Sequence, residues 1–359
     1  MVIKNPTEEE LVLVDNLATG VFMQNTPYES MAAWFECLLG KRNVKHINCV
    51  FEDDLPVTIV NWYSASIKSE CSVITVGSIG AVCSDEKARG KGYANTLLLK
   101  TFEQMKKEGI ALCFISGRRD LYLRNGSKVT GKEFCFEFDT KEKSEDVNHI
   151  TGDEVCNHAD IVYKFHSKKE NRFIRSFEHT AEILKGFLCS HHNRCCELFY
   201  TDNGYVVADI DKKDLSAKPY IIEYGGKDVL KIFRHICFIT DKAICGRIER
   251  DDKELLAVIN NVKAEEFLGS LRIMDIGLLF EQIKYKFRAA GIADISVSQN
   301  DDEFAIACNG ESYYISEDNL YTLIFTDPSE KLFKDGRMPL EFNDVFPLHI
   351  PKVDGLDNI

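Results

Sequence analysis

Two glycines in the first third of the chain have the spacing of an anion-binding loop. The segment Arg89–Ala94 reads Arg-Gly-Lys-Gly-Tyr-Ala and stands directly before an amphipathic run. Glycine has no Cβ, so the backbone can turn tightly there and come close to a ligand. The first N–H groups of a helix lack intrahelical partners, and the helix dipole adds about half a positive charge at that end. The pattern therefore predicts a phosphate site at a helix start.

The flanking sequence predicts the elements that would hold this loop. An apolar run from Val73 to Cys83 predicts a strand before it, and apolar residues at a 3.6-residue period predict a helix after it, ended by Gly109. A second apolar run, Ile110–Ser116, predicts another buried strand, which leads to a turn that contains Tyr122. The predicted order is strand, glycine loop, helix, strand and tyrosine turn.

The loop differs from the two commonest phosphate loops. It has no Gly-Lys-Ser/Thr ending of a P-loop, and no Gly-x-Gly-x-x-Gly followed by an acidic residue about 20 positions later. Taken alone, two glycines before a helix fit a plain tight turn as well as an anion site.

The surrounding residues resemble a known family. Arg89–Ala94, together with the strand before it and Leu97-Leu98 after it, resembles the acetyl-CoA signature of the GNAT N-acetyltransferases. The segment Leu121–Gly126 resembles the later Leu-Tyr-x-x-x-Gly segment of that family, at the expected distance. Two motifs in the right order are far more specific than either alone.

The resemblance implies roles for individual residues. Tyr122 corresponds to the family tyrosine that protonates the departing CoA thiolate; the alternative is an ordinary half-buried aromatic. Backbone N–H groups of the loop would hold the CoA pyrophosphate, and the main chain of the preceding strand would pair with the pantetheine arm like an added strand. The implied acetyl-CoA contacts are Val82, Cys83, Arg89, Gly90, Lys91, Gly92, Tyr93 and Ala94.

Composition indicates a globular protein of two or three domains. The chain has 359 residues, of which 45% are hydrophobic and 28% charged. No signal-peptide core or membrane-length apolar run is visible, so a cytoplasmic location is expected. The formal net charge of −13 argues against nucleic acid or an anionic membrane as partner. It favours a cationic substrate if the acidic groups lie near the pocket, and otherwise indicates only a solvated acidic surface.

The 13 cysteines are scattered and often lie inside apolar strands, which predicts buried free thiols rather than disulfides. One cluster, Cys189–Cys196, contains metal-type residues. It lacks the paired Cys-x-x-Cys spacing of zinc sites, and Arg194 would oppose a cation, so no metal is expected.

Away from the motif, helices are predicted at residues 7–17 and 28–39, the first with a capping box formed by Thr7 and Glu10. Two helices, several strands and then the glycine loop is the usual order of the GNAT fold. A charged stretch near residues 139–153 predicts a boundary. The next block resembles a second GNAT-like half, but its Gly225-Gly226 pair lacks the Arg-x-x-Gly-x-Gly/Ala pattern, so no second CoA is assigned.

The closing block resembles the sterol-carrier-protein-like domain of the enhanced intracellular survival (Eis) subgroup. The expected fold class is therefore α/β (α+β), with tandem GNAT folds built on mixed sheets flanked by helices and a small α+β C-terminal domain. The expected domains are residues 1–145, catalytic; 146–266, degenerate GNAT-like; and 267–359, sterol-carrier-like with a tail. The subgroup further implies a homo-oligomer.

The subgroup can use its C-terminal carboxylate as the base, which here would be that of Ile359, although the tail could also pack only for stability. Trp34 and Phe35 stand where the family lines its acceptor cleft, and aromatic faces attract ammonium groups, although such residues are more often core. The expected function is transfer of an acetyl group from acetyl-CoA to a small cationic amine or a lysine. The alternatives are a CoA-binding sensor without turnover and an apolar-ligand carrier.

Overall fold

The computed structural model describes residues 1–23, 30–190, 194–211, 214, 216–250, 252–300, 303–326 and 338–351. Its strands are β1 Val2–Lys4, β2 Ile47–Glu52, β3 Leu55–Ser69, β4 Ser72–Ser84, β5 Leu112–Ile115, β6 Lys132–Phe138, β7 Asn148–Thr151, β8 Asn171–Phe173, β9 Arg194–Thr201, β10 Gly204–Asp211, β11 Tyr220–Gly226, β12 Ile244–Ile248, β13 Asn261–Glu266, β14 Ser270–Ile273, β15 Ile295–Asn300, β16 Glu303–Cys308 and β17 Glu311–Ser316. Its α-helices are α1 Leu11–Phe22, α2 Met31–Trp34, α3 Glu36–Leu39, α4 Tyr93–Lys107, α5 Asp120–Leu123, α6 Ala159–His166, α7 Phe177–Ser190, α8 Val229–Thr240, α9 Lys253–Val258, α10 Ile276–Gln282, α11 Lys284–Ala289 and α12 Glu317–Phe325.

The first sheet has the order β1-β2-β3-β4-β5-β14, and β8 pairs with the end of β3. Strands β1 to β4 are antiparallel to their neighbours, whereas β4 and β5 are parallel because α4 forms the crossover between them. One face of this sheet packs on α4 through Trp62, Leu97 and Met105. The other face packs on α1 to α3 near one end and on the C-terminal part of the chain near the other.

Two irregularities in β4 create a gap in the first sheet. The parallel pairing with β5 covers only Val76 to Ile79, so β4 runs on to Ser84 beyond its neighbour. On the β3 side, Ile59 pairs with Cys83 while Asn61 pairs with Gly80, which leaves two β4 residues opposite one β3 residue. This is a β-bulge. A bulge bends the strand that contains the extra residue and changes the direction of the side chains that follow.

The second sheet has the order β13-β6-β12-β11-β10-β9-β7. As in the first sheet, consecutive antiparallel strands (β9, β10 and β11) precede one parallel pair, β11 and β12, with α8 as the crossover. The neighbour beyond the parallel pair is again a strand from elsewhere in the chain, β6 here and β14 in the first sheet. The mixed sheets flanked by helices confirm the predicted α/β fold class.

The third sheet is the antiparallel unit β15-β16-β17, covered by α10, α11 and α12. Its core is filled by side chains with no solvent exposure, including Phe287, Ile306, Leu320 and Leu323. This core is continuous with the face of the first sheet around Ile74, because both belong to one apolar cluster.

The predicted domain limits at residues 145 and 266 stay predictions. Strand β6 comes before the first limit and pairs with the second sheet, while β14 comes after the second limit and pairs with the first sheet. The chain therefore passes between the sheets in both directions.

Two helices differ from the sequence-based prediction. The first begins at Leu11 rather than at residue 7, although Thr7 and Glu10 do form the reciprocal hydrogen bonds of a capping box. The helix predicted over residues 28–39 is two short helices separated at Phe35, whose backbone (φ −127°, ψ 58°) is not helical. Residue 28 itself lies outside the described part of the chain.

Candidate functional site

The predicted phosphate loop lies between the 3₁₀ turn Glu86–Ala88 and α4. Gly90 and Gly92 have φ of +78° and +80°, a region that residues with a Cβ rarely adopt, and Gly92 caps the helix. A Cβ added at either glycine would meet no atom within 4 Å, so the space beside the loop is open. The loop therefore offers unshielded backbone and the unpaired N–H groups of a helix start to an incoming anion.

The loop side chains bind a residue that sequence reasoning missed, Glu52 at the end of β2. Lys91 Nζ lies 3.0 Å from Glu52 Oε2, and the Tyr93 hydroxyl donates to Glu52 Oε1 at 2.6 Å. The hydrogen bonds from Tyr93 and Lys91 lower the pKa of Glu52, and the bond to Glu52 raises the pKa of Lys91. Glu52 thus offsets the charge of Lys91, which leaves Arg89 and the backbone N–H groups to attract an anion at the loop.

The other loop residues have different surroundings. Arg89 is largely exposed, with Nη1 3.6 Å from Glu86 Oε1, and Ala94 is half-buried at the first turn of α4. The guanidinium of Arg89 is thus on the surface near the loop, where it could contact a phosphate.

The strand residues predicted to contact acetyl-CoA, Val82 and Cys83, lie in the part of β4 that extends beyond β5. Val82 packs with the α4 face, whereas Cys83 packs with the opposite face. Burial raises the pKa of the Cys83 thiol to about 12, so it is a neutral thiol and a poor nucleophile at physiological pH. This favours direct attack by an acceptor over an acyl-cysteine intermediate.

The β4 bulge holds a strained residue. Ala81 has φ +49°, and an L-residue in this left-handed region costs roughly 1–2 kcal/mol. Asn61, which is fully buried on β3, donates from Nδ2 to the Ala81 carbonyl oxygen at 3.1 Å. The Oδ1 atom of Asn61 is buried and has no hydrogen-bond partner among the described residues, which costs about 1–3 kcal/mol.

Tyr122 lies in the short helix α5 and is 5% exposed. Its ring belongs to the same apolar cluster as Val82 and Leu97, so the glycine-loop helix, the free part of β4 and the tyrosine meet on one side of the sheet. Burial raises the pKa of Tyr122, partly opposed by the charge of Arg119. The hydroxyl is therefore neutral at physiological pH and holds a proton that it can donate.

Asn125 joins the tyrosine turn to the start of α4. Its Nδ2 donates to Asn95 Oδ1 at 2.8 Å and to the Leu121 carbonyl oxygen at 2.7 Å. On the other side of the turn, Gly126 has φ +83°, and a Cβ there would lie 2.4 Å from Nη1 of Arg272 in β14. The C-terminal part of the chain thus packs directly against the turn.

Trp34 and Phe35 are half-buried beside the α1 face of the first sheet. Their rings meet edge to face with centroids 6.5 Å apart. Helix α7 approaches so closely that a Cβ at Gly186 would lie 2.2 Å from the Trp34 carbonyl oxygen. Nearby, the Tyr63 hydroxyl lies 3.2 Å from His179 Nδ1 of the same helix. The two aromatics therefore lie where the first and second parts of the chain meet, on the opposite face of the sheet from Tyr122.

The space beside the glycine pair of the second half, Gly225 and Gly226, is filled by other atoms of the protein. A Cβ at Gly226 would lie 2.2 Å from the Asn203 carbonyl oxygen, and one at Gly225 would lie 2.9 Å from the Tyr205 ring. The neighbouring Glu223 is buried and accepts hydrogen bonds from Arg175 at 2.6 Å and from the Tyr205 hydroxyl at 2.6 Å. Burial alone would raise the pKa of Glu223, but Arg175 and His166 hold it well below its usual range. The backbone of Asn203 and Gly204 and the ring of Tyr205 thus fill the space beside this glycine pair, whereas the space beside Gly90 and Gly92 is open.

Some predictions fall wholly or partly outside the described residues. Ile359 lies in residues 352–359, and the Cys189–Cys196 cluster includes residues 191–193, which are likewise undescribed. No group of three or more potential metal ligands occurs within the described ranges. No disulfide forms among the eleven cysteines whose side chains are described; six of them are buried, four are half-buried and Cys71 is exposed. Within the same ranges, no helix combines the length and the apolar character that a bilayer crossing demands.

Sequence reasoning did not find Glu52, Asn61, Asn95 or Asn125. Of these, Asn61 left a visible signal, because it is an uncharged polar residue inside the apolar run Val57–Ser64. The contacts of the other three join residues that are 30 to 41 positions apart in the chain, and no local pattern reports such contacts.

Comparison with known proteins agrees with this geometry. Residues 2–129 match the acetyltransferase (GNAT) domain family. No curated protein sequence gives a significant match. Among solved structures, a GCN5-related N-acetyltransferase from Anabaena variabilis superposes with a TM-score of 0.66 at 11% identity, covering 99% of this chain and 98% of the other. One from Kribbella flavida gives 0.63 at 13% identity, with 100% and 98% covered.

Eis1 from Mycobacterium abscessus also superposes, with a TM-score of 0.63 at 9% identity and coverage of 99% and 98%. At these identities the likeness establishes a common fold over the whole chain length. The family match of residues 2–129 adds the enzyme class. Through this GNAT domain, the chain is an N-acetyltransferase that uses acetyl-CoA.

Proposed function

We propose that the protein transfers the acetyl group of acetyl-CoA to a primary amine of a small cationic molecule, such as an aminoglycoside or a polyamine, or to a lysine. One observation carries the proposal: the open loop at Gly90 and Gly92 lies beside the free part of β4 and the buried Tyr122 on one side of the first sheet. An anion site, an unpaired strand edge and a neutral acid are the parts that this transfer needs.

Each part has a distinct task. The backbone N–H groups from Gly90 to Ala94 hold the pyrophosphate, and the main chain at Val82 pairs with the pantetheine arm. When bound, acetyl-CoA supplies an already activated thioester, so placement of the amine supplies much of the rate. The amine nitrogen bonds to the acyl carbon, the carbon–sulfur bond breaks, and the Tyr122 hydroxyl gives its proton to the sulfur.

The amine must also lose a proton. The C-terminal carboxylate of Ile359 as the accepting base stays a prediction, because that residue lies outside the described part of the chain. A cytoplasmic homo-oligomer also stays a prediction.

A cationic acceptor is supported by two features of the chain. The formal net charge is −13, and Trp34 and Phe35 offer partly exposed aromatic rings beside the α1 face of the sheet. On this proposal these two residues line the acceptor cleft, and the nearby helix α7 of the second half closes it on one side.

The second half is proposed to be a degenerate GNAT-like fold without a cofactor, and the closing block to be sterol-carrier-protein-like. The closed Gly225-Gly226 pair supports the first point. Phe287, Ile306 and Leu320 of the closing block have no exposure, which supports a structural role for this part of its core.

The test combines binding and turnover. Acetyl-CoA binding is measured by calorimetry for the wild type and for Gly92→Val, and thiol release is followed with polyamines, aminoglycosides and a lysine peptide. Binding by the wild type with amine-dependent thiol release supports the proposal. Binding without release on any amine favours the CoA-binding sensor, and absence of binding removes the proposal.

A further inference from the structure

The strained residue Ala81 is held by a side chain that none of the motifs contains. Asn61 comes from the neighbouring strand β3, and its Nδ2 donates to the Ala81 carbonyl oxygen at 3.1 Å. Because of the bulge, Ala81 has no paired residue on β3 in the strand register. The Asn61 amide therefore takes the place of a ladder hydrogen bond at the bulge.

The bulge decides which way the following residues face. Ile79 packs on the α4 side of the sheet, and strict alternation would place residues 81 and 83 on that side as well. Instead, Val82 packs on the α4 side and Cys83 packs on the α1 side. The extra residue at Ala81 thus reverses which side of the sheet the following side chains face. This change occurs where β5 ends and the edge of β4 becomes free.

We infer that Asn61 is a positioning residue for acetyl-CoA, which holds the Ala81 bulge so that the main chain at Val82 presents its hydrogen-bonding groups to the pantetheine arm. The inference rests on the proposed function, because it assumes the pantetheine contact at Val82. It adds a residue from outside the signature and gives a cause for the left-handed conformation of Ala81.

The Oδ1 atom of the Asn61 side-chain amide, which makes no hydrogen bond to the described residues, supports a positioning role. Asn61 is fully buried, yet its Oδ1 has no hydrogen-bond partner among the described residues. A valine or leucine at this position would fill the sheet core without leaving a buried acceptor unpaired. The side chain is therefore explained by the one bond that it does make, the bond to Ala81.

The chain offers a matched control in Asn48. This asparagine lies on β2, is also fully buried, and also has an Oδ1 atom without a partner among the described residues. Its Nδ2 donates to Thr101 Oγ1 at 3.0 Å and to Gln104 Oε1 at 3.3 Å, both on α4 rather than on β4. Replacement of Asn48 thus removes an equivalent buried amide but leaves the bulge intact.

The experiment compares Asn61→Leu, Asn48→Leu and the double variant Asn61→Leu/Ala81→Gly for kcat, KM of acetyl-CoA and melting temperature. Both single variants are expected to lose thermal stability. Only Asn61→Leu is expected to raise the KM for acetyl-CoA, by about tenfold with kcat less affected. Glycine adopts positive φ without strain, so the double variant is expected to recover most of the KM without the amide.

Each result decides the question. Equal KM values for Asn61→Leu and the wild type, or equal increases in Asn61→Leu and Asn48→Leu, would overturn the inference while leaving acetyl transfer intact. Failure of the Ala81→Gly change to recover the KM would do the same. If Asn61→Leu does not fold, Asn61→Ser replaces it in the same comparison. A wild type that neither binds nor turns over acetyl-CoA would instead remove the proposed function itself.

Discussion

Asn125 donates a hydrogen bond to Asn95 at 2.8 Å, and this bond connects the turn that carries Tyr122 to the helix start that follows the glycine loop. The same Asn125 amide also closes its own turn through the Leu121 carbonyl oxygen. The proposed acid and the proposed phosphate site therefore have a direct link besides the shared apolar core. Their relative position does not depend on packing alone.

This link predicts a coupled effect on turnover. Asn125→Ala should lower kcat by about tenfold, because loss of the hydrogen bonds to Asn95 and to the Leu121 carbonyl oxygen lets the Tyr122 turn move relative to the bound thioester. The affinity for acetyl-CoA, measured by calorimetry, should change by less than about threefold.

Two further variants serve as controls: Asn95→Ala and the double variant Asn95→Ala/Asn125→Ala. If the bond between the two amides is responsible, the double variant should be no slower than the more damaged single variant. Additive losses in kcat would show that the two residues act separately.

Tyr122→Phe should lower kcat by roughly ten- to a thousandfold with acetyl-CoA affinity near normal, because the proton donor acts mainly in the transition state. Steady-state kinetics with calorimetry checks this result. The control is Tyr321→Phe. Tyr321 is another buried tyrosine, whose pKa burial raises to about 12, and its hydroxyl accepts from the Ile273 N–H. This variant should lose stability but keep kcat within about twofold.

The raised pKa of Tyr122 sets the direction of its pH dependence. The neutral form is favoured in the folded state, so its contribution to stability is complete below the ordinary tyrosine pKa of about 10. That contribution is lost as pH rises through the higher folded value. Ionisation of Tyr122 should therefore not lower the kcat of the wild type below a pH of about 10. A fall of kcat in this range that occurs in the wild type and is absent from Tyr122→Phe would be due to Tyr122. Such a decline would contradict the assignment.

Glu52→Gln should strengthen acetyl-CoA binding at low salt. The amide can still accept the Tyr93 hydroxyl hydrogen bond, but it no longer neutralises Lys91, so the loop gains about one positive charge. The KM for acetyl-CoA should fall by about two- to fivefold at low ionic strength, and the gain should shrink as salt is added. Lys91→Gln is the opposite control and should not lower the KM. A KM for Glu52→Gln that does not respond to salt would count against this electrostatic account.

The two glycine pairs predict one acetyl-CoA per chain. Gly92→Val should abolish binding, since its side chain would fill the open space beside the loop and the left-handed backbone at this position disfavours a Cβ. Gly226→Ala should instead lower the melting temperature, because its Cβ would lie 2.2 Å from a carbonyl oxygen. The Gly226→Ala protein that folds should bind acetyl-CoA with unchanged stoichiometry by calorimetry. Two molecules bound per wild-type chain would show that the second half retains a site.

Local patterns predicted the centre of the site well. The strand before Gly90, the helix after Gly92 and the turn around Tyr122 all occur near their predicted positions, because each depends on neighbours within a few residues. The broken helix at Phe35 was missed, since the apolar spacing of residues 31–39 continues through the break.

Contacts between distant segments were not predictable from the sequence. The bond from Lys91 to Glu52 spans 39 residues, and Arg272 reaches Gly126 from a strand near the end of the chain. Such pairs are chosen by the tertiary arrangement of strands and leave no periodicity or spacing to detect. The resemblance to the family segment placed a glycine at residue 126 but did not explain why a glycine is needed there. The structure gives the reason, which is the close approach of Arg272.

The exchange of β6 and β14 between the sheets affects how the protein can be synthesised and cut. The first sheet needs residues 270–273, so it lacks its last strand until these residues, about 155 positions after β5, have left the ribosome. A fragment ending near residue 145 would leave β5 as an open edge and would carry β6 without its partners. Open edges promote association between chains. The proposed acetyl-CoA site therefore lies in a sheet that is completed by a strand from much later in the chain, and we expect a fragment that ends near residue 145 to aggregate unless β14 is supplied.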